Sequence, residues 1–168
     1  DVYENDDPVA VSTGTKIKNN VFYTKNQILN IYLYEASCTT NFECDYNVYF
    51  CEDGAPLFRI GGANYTFTQW QALGYDTHSV VVNPNFTDTI NFAPSARLNY
   101  GTDLGASFNT GLAPTAVWGS GSPATNVQDA TWQVGAIILA NNSYYLSPSG
   151  NDSSGDGSIS FPWATLVK

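Results

Sequence analysis

Asn20-Val21-Phe22-Tyr23 recurs 27 residues further on as Asn47-Val48-Tyr49-Phe50. An interval of that length is too long for a hairpin repeat and fits one rung of a β-solenoid, in which each circuit of chain stacks on the one before. Equivalent side chains then lie above one another. The echo therefore predicts an amide ladder, Asn20 over Asn47, and a column of Val21 over Val48 in the interior.

Working outward from this pair, short segments rich in Val, Ile, Tyr and Phe read as strands at residues 21–23, 30–35, 46–50, 57–60, 79–82, 134–139 and 144–147. Asp53-Gly54, Gly61-Gly62, Asn83-Pro84 and several Ser/Gly clusters supply the turns between them. One helix signal is convincing, near residues 67–73. Thr66 can cap it, Gln69 stands three residues later as in a capping box, and Gly74 ends it. Residues 1–92 thus read as stacked rungs carrying one short helix. The texture changes after Pro84. Residues 93–143 form a loop-rich closing segment that ends in an apolar strand, Trp132-Gln133-Val134-Gly135-Ala136-Ile137, and residues 144–168 form a further strand or cap segment.

Composition bounds the function. The 168 residues are one domain's worth, and 43% hydrophobic content supports a core. Six Lys and Arg stand against 15 Asp and Glu, for a net charge of -9, and only Arg59 and Arg97 are basic between Lys25 and Lys168. A nucleic-acid binder needs clustered basic residues to displace counterions from phosphate, and an anionic membrane surface asks for the same. No apolar run approaches a membrane span. Charged residues at 12% and aromatics at 14%, with abundant Asn, Ser, Thr and Gly, read as a secreted, β-rich chain with a neutral polar surface. There is no Met, so a leader has been removed or the chain is a piece of a longer one. Cys38, Cys44 and Cys51 fall close together. In an oxidising compartment one pair among them is expected to bridge, with three pairings open, and their spacing without a nearby His does not match a zinc site.

The chain also resembles a family. Asn19-Asn20-Val21-Phe22-Tyr23, Cys44-Asp45-Tyr46-Asn47-Val48-Tyr49 and Thr68-Gln69-Trp70-Gln71-Ala72-Leu73-Gly74-Tyr75-Asp76-Thr77-His78-Ser79 look like the last rungs of secreted, pectate-lyase-like proteins. Asn83-Pro84-Asn85-Phe86 and Trp132-Gln133-Val134-Gly135-Ala136 resemble their closing segments. The resemblance spans roughly residues 15–138 and implies an all-β, right-handed parallel β-helix. Tyr144-Tyr145-Leu146-Ser147-Pro148-Ser149-Gly150-Asn151-Asp152, with Phe161-Pro162-Trp163-Ala164-Thr165-Leu166, looks instead like a segment that opens such a helix. An end is followed by a beginning, as at the junction of two tandem β-helices or in a subunit whose opening segment docks on the next copy.

Members of this family often cleave polysaccharides. A uronate lyase needs Lys, Arg or His at the sugar carboxylate, and Arg59, Arg97 and His78 are the only such residues mid-chain. Glu43 and Asp45 share a strand face, too close together for the two-sided attack of a glycosidase. His78 reads as a hydrogen-bonded turn residue and Trp70 as core. No residue is assigned a catalytic role. Asp152, Ser154 and Asp156 resemble the oxygen-rich start of a calcium loop, but Trp163 stands where the twelfth-position Glu belongs, so a polar Asx turn is the simpler reading. Asn64, Asn85, Asn141 and Asn151 head N-x-[ST] triplets, candidate glycosylation sites whose number, with 17 Asn present, carries no argument.

These readings converge on an extracellular or cell-surface scaffold. Its expected partners are copies of itself, joined head-to-tail by β-strand addition through Tyr144, Tyr145 and Leu146, with glycans as a second class. The alternatives are the C-terminal part of a secreted lyase or glycoside hydrolase, and a non-catalytic glycan-binding adhesin.

Overall fold

The computed structural model describes residues 12–88, 90–117, 119, 121–140, 145–155 and 161–165. The chain is mostly β with one short helix, and the described residues form no closed barrel. It passes through three short strands, β1 (Lys16–Lys18), β2 (Val21–Thr24) and β3 (Leu29–Leu33), then through β4 (Glu43–Asp45), β5 (Val48–Cys51) and β6 (Leu57–Ile60). The second pass lies on the first, strand for strand and parallel: Lys16 opposite Glu43, Val21 opposite Val48, Ile31 opposite Phe58. Each of these offsets is the 27 residues of the sequence echo. β7 (Ala63–Thr66) then turns back antiparallel on β6 through Gly61-Gly62, and β8 (Val80–Val81) adds a third parallel strand beside β5.

The corner between strands is built the same way in both passes. Asn19 and Tyr46 both sit in the left-handed region, with φ of 58° and 57°, and Asn19 N–H donates to Tyr46 O over 3.1 Å. That geometry explains why β5 starts at Val48 and not at the expected residue 46: a left-handed residue ends extended pairing. β3 carries one extra residue, since Leu29 pairs with Leu57 but Ile31 pairs with Phe58. Asn30 is that bulged residue, and its Oδ1 takes the Leu57 N–H at 3.1 Å.

Side chains alternate across the central sheet. Phe22 and Tyr49 stack at 4.8 Å and face an aromatic cluster of Phe42, Phe58 and Trp70. Val21 does stand over Val48, but on the opposite face, where Leu98 and Val134 cover the column. The valine column is thus buried as expected, and the aromatic column fills a second core on the other face. The helix α1 (Phe67–Ala72) has the expected capping box between Thr66 and Gln69, and it seals the cluster with fully buried Trp70, stacked on Phe58 at 4.9 Å.

The closing segment is more ordered than a loop and less strand-like than its sequence. β9 (Thr110–Leu112) and β10 (Thr125–Val127) form an antiparallel pair. The apolar strand expected at residues 134–139 is reduced to one bridge, Leu112 to Ile137, because Gly135 at φ 90° breaks the extended run. Gly135 N–H instead donates to Asn19 O over 2.8 Å, and the Asn19 amide makes reciprocal bonds of 2.7 and 2.9 Å with the Thr102 main chain. The strand expected at residues 144–147 is likewise one bridge, Leu146 to Trp163, with Tyr144 outside the described residues.

Candidate functional site

The expected Asn20–Asn47 ladder is present and runs one step further. Asn20 N–H donates to Asn47 Oδ1 at 2.9 Å, and Asn47 N–H donates to Ser79 Oγ at 2.7 Å. Each side chain takes the N–H of the layer before it. The ladder ends on Asp76, which is wholly buried and held at φ 51° by the corner after the helix. Asp76 Oδ1 accepts from Asn47 Nδ2 at 3.0 Å and from Ser79 Oγ, and Oδ2 accepts from Tyr49 OH at 3.0 Å and Trp70 Nε1 at 2.7 Å. Four donors, two per oxygen, satisfy a carboxylate that burial alone would make untenable. The same neighbourhood acts on its other members. Burial pushes the Tyr49 hydroxyl and the Cys44 thiol well above their ordinary values, and the Asp76 charge pushes each further.

The opposite end is unfinished. Asn20 is exposed, and none of its hydrogen bonds to described residues uses its Oδ1. Asn30 Nδ2 is shielded from water and has no partner among the described residues. Asn20 O and Thr24 O receive the N–H groups of Val48 and Glu52, so alternate residues of β2 face β5 and the main-chain groups of Val21 and Tyr23 face away. No described strand lies on that side of β2. Beside it opens a cleft of about 450 Å³ lined by Asn20, Val21, Tyr23, Phe86, Phe92 and Gly135, among others. Phe92 is 45% exposed and has a left-handed φ of 54°, a strained conformation for a bulky residue.

The surface charges pair locally. Glu43 receives Lys16 at 2.6 Å and Lys18 at 2.7 Å, which holds its carboxyl at about 2. Asp45 is desolvated, which acts upward, but hydrogen bonds from the His78 ring, the His78 N–H and the Tyr46 N–H outweigh this and hold it below the usual range. His78 Nδ1 lies 2.7 Å from Asp45 Oδ2, and its ring lies flat on Tyr46 at 4.7 Å. Thr77 Oγ1 sits 3.3 Å from that same Nδ1, on the carboxylate side of the ring and away from Nε2, where a general base would work. Glu43 and Asp45 are thus drawn to different partners. Arg59 lies over the Tyr32 ring and donates to Asn64, and Arg97 pairs with Asp129 at 2.7 Å.

The remaining predicted residues are scattered. Cys38, Cys44 and Cys51 are buried free thiols: Cys44 faces Tyr49 and Asn47, and Cys51 faces Asp53. Asp152 accepts from the N–H groups of Ala164 and Thr165 and from the Thr165 hydroxyl, and Ser154 N–H donates to Asn151 Oδ1 in an Asx turn. Asp156 and Asn141 lie outside the described residues. Asn64 and Asn85 are exposed, whereas Asn151 Oδ1 is engaged by Ser153 and Ser154. Tyr145 and Leu146 are 44% and 46% exposed.

The chain matches no family model, no curated protein and no solved structure. Its function therefore has to be read from the two ends of the ladder. Asp76, Ser79 and Asn30, the residues that distinguish a finished end from an open one, carry no signal in composition or periodicity. Asp76 and Ser79 both lie in the Asp76-Thr77-His78-Ser79 stretch.

Proposed function

We propose that this chain is a structural, extracellular protein whose passes are rungs of a right-handed parallel β-helix, closed at one end and extended at the other by a further copy. The observation that carries the reading is the contrast between the two ends of the Asn20–Asn47–Ser79 ladder. One end terminates on Asp76 beneath the helix, with β7 turned back antiparallel on β6. The other leaves Asn20 Oδ1, Asn30 Nδ2 and the edge of β2 without partners among the described residues. An unpaired parallel edge is a template for another strand. A heterologous contact of that kind gives a filament or array wherever its rotation does not close a ring. The resemblance to secreted parallel β-helix proteins supports the same reading.

Electron microscopy of the purified, untagged chain tests it. Regular filaments, lost on deletion of residues 144–168, are the expected result. Dispersed monomers overturn the reading and favour the closing rungs of a carbohydrate-active β-helix.

A further inference from the structure

We propose that the receiving site of the copy-to-copy contact is the cleft along the unpaired edge of β2, and that its occupant is the segment around Tyr145 and Leu146 of a second copy, laid parallel to β2. The inference rests on the assembly reading above and names the surface that performs it. Three observations converge on the cleft. The main-chain groups of Val21 and Tyr23 face away from β5, on the edge that borders the cleft, so an incoming extended segment finds donors and acceptors spaced for a parallel ladder. Asn20 Oδ1 stands at the position where the ladder rule places the acceptor for the preceding layer's N–H, as Asn47 Oδ1 and Ser79 Oγ do in turn. The strained Phe92 holds an aromatic ring at the cleft mouth, braced edge-on against Phe86 at 5.4 Å, and Phe86 lies against Tyr23 at 5.3 Å. Its loop is fixed by Asp88, whose Oδ1 accepts the N–H groups of Ile90 and Asn91.

The occupant follows from what the chain offers. Residues 144–150 carry no charge, and neither do the cleft residues named above, so their contact avoids repulsion between two copies of net charge -9. Tyr145 and Leu146 present half-exposed apolar side chains in a segment already paired on one side, in parallel, with Trp163. No described strand pairs with their other edge, and Tyr and Leu side chains suit a cleft walled by Val21, Phe86 and Phe92.

The test is a fluorescein-labelled peptide of residues 143–150 titrated into the full chain and followed by anisotropy, beside micrographs of the same samples. Saturable binding that weakens at least tenfold in Phe92→Asp and in Asn20→Leu, both exposed positions, supports the proposal. Should one variant fail to fold by circular dichroism, the other decides. A peptide that does not bind, or that binds both variants within twofold of the parent, overturns the proposed site even where filaments form. Peptide binding at the cleft without filaments supports the site and overturns the assembly reading.

Discussion

Asn47 Nδ2 donates to Asp76 Oδ1 over 3.0 Å with both residues wholly buried, and this bond joins the amide ladder to the carboxylate that ends it. Asp76 is thereby the common acceptor of two layers, the helix and the aromatic cluster. Removing it strands four donors at once.

Asp76→Ala should therefore destabilise the fold by about 3–5 kcal/mol, the range for breaking a buried charged network. Asp76→Asn should recover only part of this, because its amide brings donors into a ring made of donors. Urea unfolding monitored by tryptophan fluorescence measures both. A loss below about 1 kcal/mol for the alanine variant would show that the network relaxes around the gap.

The ladder predicts an asymmetry between two residues of the same type. Asn47→Leu should lower stability by about 2–4 kcal/mol, since it leaves the Asn20 N–H without its acceptor and removes a donor to Asp76. Asn20→Leu, at the exposed end, should change monomer stability by less than about 1 kcal/mol. Equal effects in chemical denaturation would count against the ladder as the organising feature.

Acid should weaken the fold through Glu43. Its carboxyl lies at about 2, below the ordinary 4.5, so between those values the unfolded chain binds the extra proton and stability falls as pH is lowered. The contribution is complete above about pH 4.5 and lost as pH passes down through about 2. Glu43 is solvent-facing, so the effect should be small and should shrink in salt. Melting temperatures of the parent and Glu43→Gln between pH 2 and 6, at low and high ionic strength, should converge at the acid end.

The thiols should be silent in the native state. All three are buried, and the Cys44 thiol is pushed upward by burial and by the Asp76 charge, which suppresses thiolate. A disulfide-exchange reagent should label none of them rapidly in native buffer and all three in denaturant. Rapid native labelling of Cys44 would contradict its place beside Asp76.

Much of this architecture was legible because its strongest signal is a repeat. Asn20 and Asn47 announce the offset, and the ladders follow from it for all three strand pairs. β1 and β4 were not legible, since three-residue strands reading Lys-Ile-Lys and Glu-Cys-Asp show no usable alternation, and their pairing is set by the neighbours they are chained to. β7 was hidden by its own turn, because Gly61-Gly62 reads as a break and Thr66 as a helix cap, leaving little between them. The apolar run at residues 134–139 misled in the other direction. It is apolar because Val134 covers the valine column, and it is not a strand because Gly135 is turned to reach Asn19. Asp76 is the hardest case, since nothing local separates a buried, four-fold-bonded aspartate from a surface turn.

The polar ladder also has a sense of direction. The Asn47 side chain receives from the layer before and the Ser79 side chain receives from Asn47, so within the Asn20–Asn47–Ser79 column every such N–H runs the same way. A stack obeying that rule has two unlike tips. At one tip the Ser79 N–H already donates to Asp76 O over 3.0 Å, leaving nothing to hand on. At the other, Asn20 keeps its carbonyl. In the proposed assembly the two ends of the stack are therefore chemically distinct, and a molecule that occupies Asn20 should block addition at that end.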